Sequence, residues 1–176
     1  MHKIPLNILA LSDISAIGLS VFRKVNISDK RGTMTIGFEG DTNFSIDAIS
    51  IKESLSYKGV ARGLHMQLPE LSPQVKIIEV LEGSIYDFVY DIRSPSSIHC
   101  FKLDANDNTS VLIPDHFAHG FIALTDVRFR YSCLGRYDES NEVTYNFLGS
   151  ASKALNIENI KLSKKDSDSP ELFCEL

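Results

Sequence analysis

Tryptophan is absent from this sequence, and cysteine occurs only at Cys100, Cys133 and Cys174. An odd number of widely spaced cysteines, with no Cys-x-x-Cys pair, argues against a disulfide framework or a zinc knuckle and fits a reducing cytoplasm. No stretch approaches the ~18 consecutive apolar residues of a membrane span. The run from Met1 to Leu11 is broken by Pro5 and Asn7 and lacks a small-residue cleavage site, so it is not read as a signal peptide. Basic residues are not in excess either: 18 Lys+Arg face 23 Asp+Glu, for a net charge of -5. That balance provides no broad cationic footprint for nucleic acid, so an anionic partner must meet a local cluster of arginines. Helical periodicity is scarce, apart from a possible segment near Ile8 to Ile17 and another after Ser150. There is no internal repeat, and the charged tail from Lys161 to Glu175 is the one shift in composition.

What remains is an ordinary globular composition, 43% hydrophobic and 23% charged over 176 residues. It suits a single domain spanning residues 1–176 with a packed core. Turn residues punctuate short apolar runs at roughly ten-residue intervals: Asp29-Lys30-Arg31-Gly32, Glu39-Gly40-Asp41, Tyr57-Lys58-Gly59, Glu82-Gly83, Ser94-Pro95-Ser96 and Asp104 to Asn108. This is an all-β rhythm. From Ile85 to Ile92 the chain alternates, with Tyr86, Phe88, Tyr90 and Ile92 on one face and Ile85, Asp87, Val89 and Asp91 on the other. Val127, Phe129, Tyr131 and Cys133 share an inward face opposite Arg128, Arg130 and Ser132. A jelly-roll sandwich or barrel with short terminal helices is expected.

Four polar interruptions of strand-like runs stand out. Gly59-Val60-Ala61-Arg62-Gly63-Leu64-His65-Met66-Gln67 sets an Arg and a His among small and apolar residues; strict alternation sends them to opposite faces, but Gly63 can host a bulge that re-aims one of them. Lys76 is in period with Ile78 and Val80, and a lysine on an apolar face is unusual. The third interruption is Ile113-Pro114-Asp115-His116-Phe117-Ala118-His119-Gly120-Phe121, and the fourth is the inward Tyr131. Each has a bland reading: a lone strand histidine is more often hydrogen-bonded than catalytic, Lys76 could snorkel at a barrel mouth, and Tyr131 could be a core aromatic with a wet hydroxyl. His2 and His99 have no supporting context. The combination is harder to dismiss than any member. A metal-dependent barrel would want His-x-His plus a carboxylate; His65-Met66-Gln67 offers one imidazole, so no metal site is expected.

In their order and spacing these segments resemble the nucleotide-sugar 3,5-epimerases acting on dTDP-4-dehydro-6-deoxyglucose. Matching pieces run from Asp29-Lys30-Arg31-Gly32 through Arg62-Gly63-Leu64-His65-Met66-Gln67, Gln74-Val75-Lys76, Asp91-Ile92-Arg93-Ser94-Pro95-Ser96 and Ala118-His119-Gly120-Phe121 to Phe129-Arg130-Tyr131 and Leu162-Ser163-Lys164-Lys165-Asp166. The resemblance implies a cupin-like jelly roll, usually a homodimer with N-terminal strands exchanged or packed across the interface. It implies an isomerase without cofactor, with a nucleoside-diphosphate 4-keto-6-deoxy sugar as substrate, in deoxysugar synthesis for surface polysaccharide or a glycosylated product. By the same resemblance His65 matches the catalytic base, Asp166 its orienting carboxylate, Lys76 the cation beside the C4 carbonyl and Tyr131 the acid on the opposite face. Arg31 and Arg62 match diphosphate-holding arginines, His119 an active-site histidine, and Tyr137 an aromatic near the nucleobase; Gln67 and Lys52 complete the substrate-binding set.

The chain also departs from the family pattern. Ser50-Ile51-Lys52-Glu53-Ser54 replaces the usual Gln-x-Asn-x-Ser, Thr33-Met34-Thr35-Ile36 replaces Phe-Phe-x-Glu, and the C-terminal Trp-Asn-Asp and Trp-Pro elements give way to Tyr145-Asn146-Phe147 and to a stretch with no aromatic. The nucleotide, the sugar pattern or the number of carbons inverted is therefore open. A single-carbon epimerase, a ketoisomerase and a non-catalytic sugar-nucleotide binding module are the alternatives.

Overall fold

The computed structural model describes residues 3–39 and 48–176. His2, and Gly40 and Asp41 of one expected turn, lie outside the described residues. The first seven strands are β1 (Lys3–Leu9), β2 (Ser20–Arg23), β3 (Val25–Asp29), β4 (Gly32–Ile36), β5 (Ile49–Ser56), β6 (Ala61–Gln67) and β7 (Val75–Glu82). They are followed by β8 (Ser84–Asp91), β9 (Ile98–Asp104), β10 (Thr109–Ile113), β11 (Phe117–Ala123), β12 (Val127–Leu134), β13 (Glu142–Thr144) and β14 (Phe173–Glu175), with helices α1 (Leu148–Ala154) and α2 (Lys164–Asp168) near the C-terminus. One sheet runs β13-β6-β11-β8-β9-β1-β14, the other β2-β10-β7-β12-β5, and β3 and β4 form a separate hairpin. This is the expected jelly-roll class.

The alternation of β8 explains why two cores form. Ile85 and Val89 point between the sheets, against Ile78 and Val80 of β7 and Phe129 of β12. Phe88 points the other way, into a second core with Leu148 and Ala151 of α1. Phe88, Phe101, Phe117 and Phe129 are among the largest fully buried side chains, each stabilising by about 1.5–3 kcal/mol. Such an interior tolerates few polar groups, so those it holds need a reason.

The N-terminal segment differs from its expected helix. Residues through Leu9 form β1, parallel to β9 with Leu6 opposite Ile98 and Leu9 opposite Phe101, and helical geometry is confined to a 3-10 turn, Ile14–Ile17. Pairing with β9 overrides the short local signal: Leu6 is buried while its neighbours Pro5 and Asn7 are exposed, the alternation of a strand. Among the described residues no helix is long and apolar enough to cross a membrane.

Candidate active site

Arg62 and His65 stand three residues apart on β6, a spacing that a regular strand sends to opposite faces. Gly63 changes this. It takes φ +99°, in the left-handed region, and pairing with β11 shifts there, with His65 opposite His119 but Arg62 opposite Phe121. The result is a β-bulge. The strands nearly touch at this point: a Cβ on Gly63 would lie 2.6 Å from the His119 carbonyl oxygen, and one on Gly120 would lie 2.4 Å from that of Arg62.

The bulge turns both side chains into a cavity of about 300 Å³. Arg62 and His65 line it from β6, Lys76 from β7, His119 from β11, Tyr131 from β12 and Asp166 from α2. A neighbouring recess of about 250 Å³ shares His65, Lys76 and Tyr131 and adds Lys52, Gln67, Tyr137 and Glu142.

His65 Nε2 lies 2.6 Å from Asp166 Oδ1. The second carboxylate oxygen accepts from the Ser163 hydroxyl at 2.8 Å, and Ser163 also caps α2 by accepting from the Asp166 backbone N–H. Asp166 is buried. Burial works against its charge, yet the hydrogen bonds from His65 and Ser163 hold its carboxyl below the usual carboxylate range. A carboxylate so fixed orients the imidazole.

Lys76 stands opposite Cys133 on β12. Burial pushes its ammonium down from the ordinary lysine range, with Cys133 and Glu142 opposing. Burial also pushes the Tyr131 phenol up, against the Arg62 guanidinium. Lys52 of β5, paired with Tyr131 of β12, holds its Nζ 5.7 Å from the centroid of the Tyr131 ring and 5.3 Å from that of Tyr137. Tyr137 is 49% exposed at the rim. Gln67 is buried, and its Oε1 accepts from the Asp138 backbone N–H, so it fixes the loop after β12.

One expected binding residue stays apart. Arg31 sits in the β3–β4 turn, paired with Asp29 at 2.6 Å, its side chain 84% exposed, and it lines neither recess.

Two acidic residues escaped the sequence reading. Glu142 Oε1 lies 3.6 Å from His65 Nδ1, while its Oε2 accepts from Tyr137 Oη and Lys165 Nζ, each at 2.7 Å. That bond and burial push the Tyr137 phenol up to about 12. No local pattern announces Glu142; its place follows from β13 pairing with β6, Thr144 opposite His65. Asp87 lies 2.8 Å from His119 Nε2, and the signal for it was an acid in period with Ile85 and Val89. Among the described residues no group of three or more His, Cys, Asp or Glu side chains is arranged to hold a metal.

Residues 13–173 match the family model described as dTDP-4-dehydrorhamnose 3,5-epimerase. A protein of that name from Methanothermobacter thermautotrophicus is 32% identical over 119 residues, covering 62% of this chain and 63% of its own length. Thus the chain spans somewhat under two thirds of that relative. The crystal structure of the dTDP-4-dehydrorhamnose 3,5-epimerase from Sulfolobus tokodaii aligns with a TM-score of 0.72 and 28% identity, covering 88% of this chain and 90% of that one. A 3'-monoepimerase from Streptomyces bikiniensis, solved in complex with dTDP-quinovose, aligns at 0.70 and 25% identity, covering 90% of this chain and 89% of its own.

Proposed function

Since the chain belongs to the dTDP-4-dehydrorhamnose 3,5-epimerase family, we propose that it inverts C3, C5 or both in a nucleoside-diphospho-4-keto-6-deoxyhexose. The observation that carries this reading is the His65–Asp166 pair at 2.6 Å, in one cavity with Lys76 and Tyr131. A hydrogen on the carbon beside a ketone is weakly acidic, so its removal needs a base and a stabilised enolate oxygen. His65 is the base, with Asp166 fixing its orientation. Lys76 stands by O4, where an ammonium in a dry site favours the enolate far more than the neutral ketone. Tyr131 returns the proton from the opposite face, which inverts the centre. The scheme calls for no redox cofactor or metal. Arg62 and Lys52 hold the diphosphate, and Tyr137 offers a flat face to the base. The three free, buried cysteines support a reducing, cytoplasmic setting. The chain acts as a homodimer, in which the β3–β4 hairpin carries Arg31 to the partner's cavity.

Incubation with candidate 4-keto sugar nucleotides in D₂O tests the reaction. Deuterium at C3 alone, C5 alone or both identifies the centres deprotonated, product NMR identifies those inverted, and no deuterium with any nucleotide overturns the reading. The variant His65→Ala is expected to abolish exchange. Tyr131→Phe is expected to keep exchange while losing inversion by about 10²-fold or more. A binding module without catalysis would bind these nucleotides with no exchange.

A further inference from the structure

Asp87 is completely buried, on the β8 face that carries Ile85 and Val89 into the core between the sheets. His119 Nε2 lies 2.8 Å from its Oδ2, while Oδ1 has no hydrogen-bond partner among the described residues. A half-satisfied acid in an apolar interior is costly, and a well-packed hydrophobic residue would serve stability better. That partner, His119, lines the reaction cavity and lies nearly parallel to Phe129, with ring centroids 6.3 Å apart and planes at 14°. With Nε2 turned to Asp87, the Nδ1 edge is left to the cavity.

Burial disfavours a net charge on the pair. Burial pushes the Asp87 carboxyl up, with His119 opposing, because an uncompensated negative charge is unfavourable there. Cys100 of β9 feels the same charge, its thiol pushed up to about 12 chiefly by burial. On the cavity side His119 shares its walls with Arg62, His65, Lys76, Tyr131 and Asp166. A net-neutral pair is either a carboxylate with an imidazolium or a carboxylic acid with an imidazole. In both, with the shared proton between Oδ2 and Nε2, Nδ1 carries a hydrogen.

We propose that Asp87 is a positioning residue, which by engaging Nε2 of His119 makes the ring's Nδ1–H a fixed donor to an oxygen of the bound sugar nucleotide. This rests on the epimerase reading. A donor locked before binding needs no reorganisation when charge develops on the substrate.

Three variants, Asp87→Asn, His119→Gln and the double, test it in the exchange and inversion assay. Each single variant is expected to lose about 10- to 100-fold in kcat/KM. If Asp87 acts through His119, the double variant is no worse than His119→Gln. Wild-type kcat/KM in Asp87→Asn, or a double variant losing the product of the two single effects, overturns the proposal. The ring ¹⁵N spectrum of wild-type His119 at pH 7.5 needs no variant to fold. Hydrogen on Nδ1 supports the assignment, and a bare Nδ1 with hydrogen only on Nε2 overturns it. A wild-type protein that exchanges no deuterium would sink the epimerase reading, while the ¹⁵N spectrum would still decide what Asp87 does to the ring.

Discussion

Two lysines, Lys76 and Lys52, border the smaller recess, and only the first also lines the larger cavity. Lys76 is deep, with burial acting against its charge, so its ammonium is most favourable when an oxyanion forms beside it. Lys52 projects from β5 at the rim, between the rings of Tyr131 and Tyr137. If the sugar reacts at Tyr131 and the base lies on Tyr137, the segment joining them is the diphosphate, and a cation between the two rings is at its level. Lys52 stands where the resembling enzymes have an asparagine, so the chain adds a charge at this point. A contact made equally in ground and transition states changes KM and leaves kcat alone. Lys52→Asn is therefore expected to raise KM about 10-fold with kcat nearly unchanged. The same substitution should weaken inhibition by a free nucleoside diphosphate and leave that by the nucleoside unaltered. Equal weakening of both would place Lys52 at the base instead.

At the level of elements, the site depends on the bulge in β6. A side chain at Gly63 would be strained twice, by the φ of +99° and by a Cβ 2.6 Å from the His119 carbonyl oxygen. Gly63→Ala is expected to cost about 1–3 kcal/mol in denaturant unfolding. It should also reduce exchange by about 10²-fold, since a misplacement near 1 Å at the base is enough for that loss. An active, equally stable variant would show that the bulge does not aim His65. This element was legible in advance, because Arg62 and His65 have the wrong spacing for one face and the glycine that corrects it lies between them. The inward set on β12 and Lys76 on β7 were legible for a related reason, as period two needs only local sequence. Strand β1 was not, since its partner β9 lies some ninety residues on and a ten-residue window holds no trace of it. Glu142 was hidden likewise, brought to His65 by the pairing of β13 with β6.

For the molecule as a whole, the unplaced piece is the β3–β4 hairpin. Val25, Ile27 and Met34 on it are 52%, 50% and 58% exposed, and Ile49, Ile51 and Leu55 on the edge strand β5 are 63%, 67% and 61% exposed. Apolar side chains on an unpaired edge are a liability for an isolated chain, and a second copy covering them removes it. A twofold dimer offers each subunit the same patch, which gives Arg31 a route to a cavity it does not reach in its own chain. Subunit mixing separates the two arrangements. Arg31→Ala and His65→Ala chains, each impaired alone, are co-expressed so that hybrid dimers form. In a hybrid, one cavity combines His65 from the Arg31→Ala chain with Arg31 from the other and is intact, while the second lacks both. With random pairing, roughly a quarter of all cavities are whole, so about that fraction of wild-type exchange should return. If Arg31 served its own cavity, or the chain worked alone, every cavity in the mixture would carry one lesion. Activity would then stay at the average of the two parents.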